Sequence, residues 1–194
     1  MINLRICAGV AALAFSIVSA EAALPANSSS PGILVVDRHA IMNGSKLGMN
    51  IRQQIMDYEQ KLQADLGPEG EALQNETQAF QQQSASLPPD VRAKKNQALQ
   101  AKQADYRQKI QERQGLIQGG ELAARQRYLA EVGAVVHEIM AERGANVVLE
   151  KSTVVDIVNG LDITSEVIRR LDGKISSFKV PLVKPPANGQ IQMR

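Results

Sequence analysis

The chain is predicted to be mostly α with a small β part: a long antiparallel helical hairpin, a coiled-coil tentacle, inserted in a small β body. Three features of the sequence predict this. Residues 46–143 are dominated by Gln, Glu, Lys, Arg, Ala and Leu, which are among the best helix formers. The stretch is broken once decisively, at Leu87-Pro88-Pro89-Asp90, because proline cannot continue a helix and displaces the residue before it from the helical region. One β-branched run precedes the stretch, and two follow it.

Taken in order, residues 1–22 read as a secretory signal peptide. Arg5 supplies a basic start, an apolar run extends from Ile6 to Val18, and Ala20-Glu21-Ala22 is a small-x-small cleavage pattern. The run is too short for a membrane span, and cleavage after Ala22 would release the remainder outside the cytoplasm. The single cysteine, Cys7, leaves with that segment, so neither disulfide nor thiol chemistry is expected in the mature chain. Residues 23–32 are a Ser/Pro/Gly-containing lead-in, expected to be flexible.

Residues 33–45 and 144–173 form the predicted body. Ile33-Leu34-Val35-Val36 is the first strand. A helical turn over 37–43 follows, and Ser45 is placed to cap the first limb. After the hairpin, Val147-Val148-Leu149 and a run over 154–158 read as two more strands. A short helix opens near Asp162 or Thr164, with Val167, Ile168 and Leu171 facing inward. Residues 174–194 are basic and proline-punctuated and read as a disordered tail.

The arm covers 46–143, with its tip near 87–90. The first limb places Leu47, Ile51, Ile55, Tyr58, Leu62 and Leu66 in steps of four and three, and Leu73 and Phe80 continue the rhythm. Leu47 to Tyr58 and Ile51 to Leu62 repeat at eleven, about 3.67 residues per turn, which favours straight or slightly right-handed pairing. One apolar stripe per limb covers one partner face. At roughly 1.5 Å per residue the limbs would reach roughly 60 and 80 Å. Gly67-Pro68 in the first limb and Gly119-Gly120 in the second are expected to weaken it as tolerated kinks or as hinges. The first limb leans acidic (Asp65, Glu69, Glu76) and the second basic (Lys102, Lys109, Arg113), so the two should pair, leaving Lys94 and Lys95 free near the tip.

So few strands cannot bury much, and their edges would stay unpaired. Copies of the chain are therefore expected to pool strands into one closed body from which the arms project. Ile33, Val35, Val148, Val155 and Ile157 are the candidate residues for that body.

The arrangement resembles the Skp/OmpH family of periplasmic chaperones. Ile33-Leu34-Val35-Val36-Asp37, with Ile41, Ser45 and Gly48, looks like that family's first strand and the start of its long helix. Asn146-Val147-Val148-Leu149 and Asp162-Ile163-Thr164-Ser165-Glu166-Val167 look like its closing strand and final helix. The resemblance spans about 33–171. It implies a homotrimer completing the β body, and ATP-independent holding of unfolded outer-membrane β-barrel proteins in a cavity between the arms, in the periplasm. It extends to membrane or lipopolysaccharide association, for which no residue can be placed. The Gly67-Pro68 break and the basic tail depart from the family pattern.

The chemistry the residues allow agrees with that reading. The chain has 2 His, 1 Cys and no Trp, and its net charge is +2. His39 and His137 have no companions spaced for a metal, no Ser-His-Asp arrangement can be built, and no phosphate loop surrounds Gly44-Ser45-Lys46. Neither an enzyme nor a cofactor-binding protein is expected, and the lack of stacking residues argues against a nucleic-acid partner. What remains is surface: Phe80, Leu87, Lys94, Lys95 and Leu99 are the candidates for client contact. The alternative is a periplasmic coiled-coil adaptor of an efflux or secretion system; its usual large β domains and membrane anchor are missing here.

Overall fold

A short strand is stable only if its backbone groups find partners, and here they are found across the whole length of the hairpin. In the computed structural model, which describes residues 32–186, β1 (Gly32–Val36) pairs in parallel with β2 (Ala145–Glu150). Ile33 lies opposite Val147 and Val36 opposite Glu150. Parallel strands need a long crossover, and the hairpin is that crossover. The other edge of β1 is also occupied: Val35 N–H donates to Leu161 O at 2.8 Å, and Val35 O accepts from Ile163 N–H at 2.9 Å. The outer edge of β2 has no strand beside it among the described residues.

This corrects the expectation of a third strand over 154–158. The edge of β1 it would have needed is taken by Leu161 and Ile163, and the run itself projects outward. Val155 is fully exposed and Val158 is 71 % exposed. Asp156 accepts its own neighbour's amide, Ile157 N–H, at 2.8 Å, which favours a local turn over a ladder.

The first two helices begin where short polar side chains satisfy free amides. Asp37 Oδ1 accepts from Ala40 N–H at 2.8 Å to start α1 (Arg38–Gly44). Ser45 Oγ accepts from Gly48 N–H at 3.1 Å to start α2 (Lys46–Gln83). α2 continues through Gly67 and Pro68 without interruption. Gly70 lies under the hydroxyl end of Tyr106, which a Cβ there would push aside, so it eases the approach of the two limbs. A 3-10 turn over Ser84–Ser86 and the extended Leu87 reverse the chain. Pro89 then opens α3 (Pro89–Arg143), where its missing N–H costs no hydrogen bond. Gly144, in the left-handed region at φ 62°, closes α3 and turns the chain into β2.

The core lies at the base of the hairpin. Leu34, Ile41, Leu47, Tyr128, Val135 and Ile139 meet Ile163 and, from the last helix, α4 (Thr164–Lys174), Val167 and Leu171. Charge pairs surround it. Arg170 bridges Glu142 and Glu166, pulling Glu142 below its usual range through their hydrogen bond. Lys174 pairs with Glu138.

Beyond α4 the expectation of disorder is corrected for residues 175–186. Val180 is wholly buried and belongs to the core, with Ile175 and Phe178 packed against it. Val180, with Ile175 and Phe178 beside it, supplies an apolar anchor that a merely basic tail would lack. The proposed signal peptide, residues 23–31 of the lead-in and residues 187–194 lie outside the described residues.

Candidate functional site

The arm leaves its helices largely uncovered. From residue 52 to residue 118, on both limbs, Leu99 alone is buried. The limbs are registered instead by ion pairs: Asp65 with Arg113 at 3.6 Å, Glu69 with Lys109 at 2.8 Å and Glu76 with Lys102 at 2.7 Å. The hydrogen bond to Glu69, together with Asp105, raises the Lys109 pKa. All these groups are solvent-exposed, so each adds little to stability and their main effect is to fix register. Gln103 Nε2 donates to Thr77 Oγ1 at 3.4 Å beside them.

Of the residues expected to touch a client, Phe80 and Leu87 are half-buried near the tip, and Lys94 and Lys95 are exposed. No ion pair among the described residues engages either lysine. Leu99 is different. At 5 % exposure it is taken up by the packing of α3, so it cannot meet a client while the limbs stay closed.

The second surface lies on the body and the base of the arm. Two open cavities of about 500 and 510 Å³ adjoin each other there, sharing Arg38, Leu129 and Val132. His39 lines the first and His137 the second. Met56, Leu129 and Leu149, at 53, 43 and 38 % exposure, make an apolar band along them. Of the residues expected to build the oligomer body, Val35 is buried inside the chain, Val148 and Ile157 are half-buried, and Ile33 and Val155 are exposed. Val35 sits inside the chain's own fold, with its side chain buried and its backbone flanked on both edges by Leu149 and by Leu161 and Ile163. Among the described residues no cluster of His, Cys, Asp or Glu is placed to hold a metal ion, and no helix is long and apolar enough to cross a membrane.

A family model, "Outer membrane protein (OmpH-like)", matches residues 32–171, the span from β1 to Leu171 in α4. The chain belongs to the OmpH-like family. The fold agrees: a Caulobacter crescentus crystal structure, put forward as an outer membrane chaperone (OmpH-like), superposes with a TM-score of 0.70 at 23 % identity. That match covers 82 % of this chain and 94 % of the other. No curated protein matches. The OmpH-like span ends at residue 171, so residues 175–186, packed along the arm, lie beyond it. Sequence reasoning missed this segment. The alternating apolar residues and the Gly119-Gly120 pair on α3 were the signals that could have found it.

Proposed function

We propose that this OmpH-like chain is a periplasmic holdase that binds unfolded outer-membrane β-barrel proteins between its arms without ATP and keeps them from aggregating. The observation that carries the reading is the poverty of burial along the arm. Two helices run far past the core with a single buried side chain between residues 52 and 118. Their half-buried apolar residues, Leu66, Leu73, Phe80 and Ile110 among them, suit many weak contacts with an unfolded chain and none that locks. Exposed Lys94 and Lys95 add a salt-screened attraction that steers capture.

The same reading makes the working form a homotrimer. The open edge of β2, the exposed Ile33, Val147 and Val155, and the Met56–Leu129–Leu149 band are apolar surfaces that a neighbouring copy would cover. Export by cleavage after Ala22 belongs to the reading as well.

The test is to dilute a urea-unfolded outer-membrane barrel protein into buffer with the chain from Ala23 onward in excess, and to follow light scattering. Scattering should be suppressed without ATP. Undiminished scattering, with co-purification of a membrane transporter instead, would favour the adaptor.

A further inference from the structure

Residues 175–186 lie along the arm's base and are gripped by their backbone. Gln54 Nε2 donates to Phe178 O at 2.7 Å, and Gln54 Oε1 accepts from Val180 N–H at 3.0 Å. The remaining Gln54 N–H goes to Asn50 Oδ1 at 2.7 Å, which fixes which way the amide faces. Tyr58 Oη donates to Val180 O at 2.8 Å. On α3, Gly119 and Gly120 are buried under the segment, and a Cβ on either would collide with the carbonyl oxygens of Val183 and Pro181. Two glycines that cost a helix interior about 1 kcal/mol each thus serve close approach of a second backbone.

Side chains of the segment contribute less. Val180 is the one buried residue in it, Phe178 is half-buried with the Arg127 guanidinium 4.4 Å from its ring, and 181–186 are exposed. Grip through main-chain atoms, with one small apolar anchor, tolerates many sequences provided they are extended. The groove is also incompletely filled: a cavity of about 200 Å³ lined by Leu62, Leu116 and Ile117 adjoins Leu182, with room for a further apolar side chain.

We propose that Gln54, Tyr58, Gly119 and Gly120 form a binding site for extended polypeptide, occupied in the resting chain by its own residues 175–186 and vacated when an extended stretch of client displaces them. The client clause rests on the holding function above; the site itself does not. Tethering to α4 gives the segment an effective concentration of the order of millimolar, enough to fill a weak site when nothing competes. Pro181, Pro185 and Pro186 keep it extended and lack the amides with which it could recruit a strand.

The unmodified chain provides the first readout, because Val180 N–H is hydrogen-bonded only while the site is self-occupied. Hydrogen exchange at Val180 should quicken about tenfold or more when urea-unfolded barrel protein is held in excess. Suppressed scattering with Val180 exchange unchanged would overturn displacement by client and leave the holding function standing. The second readout needs no client: fluorescence anisotropy of a labelled peptide with the sequence of residues 175–186. It should bind the Val180→Asp chain about tenfold more tightly than the unmodified chain, whose site is already filled. Adding Gly120→Leu, which fills the approach from α3, should abolish that binding. Equal binding to both variants, or to neither, would overturn the site.

Discussion

Ile163 N–H donates to the carbonyl of Val35 at 2.9 Å, and both side chains are buried, Ile163 completely. This contact joins the strand before the arm to the residue that precedes the last helix, so the body is closed by its two ends. Ile163→Ala should therefore cost about 2–4 kcal/mol through the cavity it leaves, read as a lower urea midpoint with an unchanged slope.

The residue next to it sets an acid limit. Burial disfavours the Asp162 carboxylate, but hydrogen bonds from Lys151 and Thr164 outweigh burial and lower its pKa from 3.8 to about 2. The folded value lies below the unfolded one, so this stabilisation is present above about pH 4 and is lost as pH falls toward 2. Asp162→Asn should be less stable than the unmodified chain at pH 6 and converge with it near pH 2. Thermal melts across that window check the sign; a gap that persists undiminished at pH 2 would exclude the carboxylate as its source.

Tyr128 is 1 % exposed and its hydroxyl has no hydrogen-bond partner among the described residues. Burial is the main influence on the phenol and pushes its pKa up. Removing an unsatisfied hydroxyl relieves a desolvation penalty, so Tyr128→Phe should be neutral or stabilising by about 1 kcal/mol. A loss of stability in a denaturant titration would mean that the hydroxyl finds a partner in solution.

Val155 is fully exposed in the single chain. An aspartate there removes no buried surface within the chain. If copies associate through this run, Val155→Asp should shift sedimentation toward the monomer while circular dichroism stays the same. Unchanged sedimentation would remove residues 154–158 from the interface.

At the tip, Lys94 and Lys95 are exposed while Lys102, Lys109 and Arg113 are spent on the opposite limb. Replacing both free lysines with glutamate should slow capture of an unfolded barrel protein severalfold at low salt, with the effect fading as salt shortens the screening length. An equal effect at both salt levels in stopped-flow measurements would mark the charges as structural.

The sequence by itself determined whatever depends on a few neighbouring residues or on a regular period. Asp37 and Ser45 announce helix starts, Pro88-Pro89 announces the reversal, and the stripe from Leu47 to Phe80 announces a long amphipathic limb, because caps, proline geometry and periodicity act locally. The fold class follows from these. Only the tertiary structure decided which surfaces meet. Residues 154–158 carry strand-like side chains, yet the edge of β1 goes to Leu161 and Ile163. Leu99 looks available by position but is buried by packing, and residues 175–186 have a disordered composition but a seat on Gly119 and Gly120. A strand edge or a groove is filled by whichever segment reaches it best in three dimensions, and a local signal such as Gly119-Gly120 marks a close approach without saying which distant segment makes it.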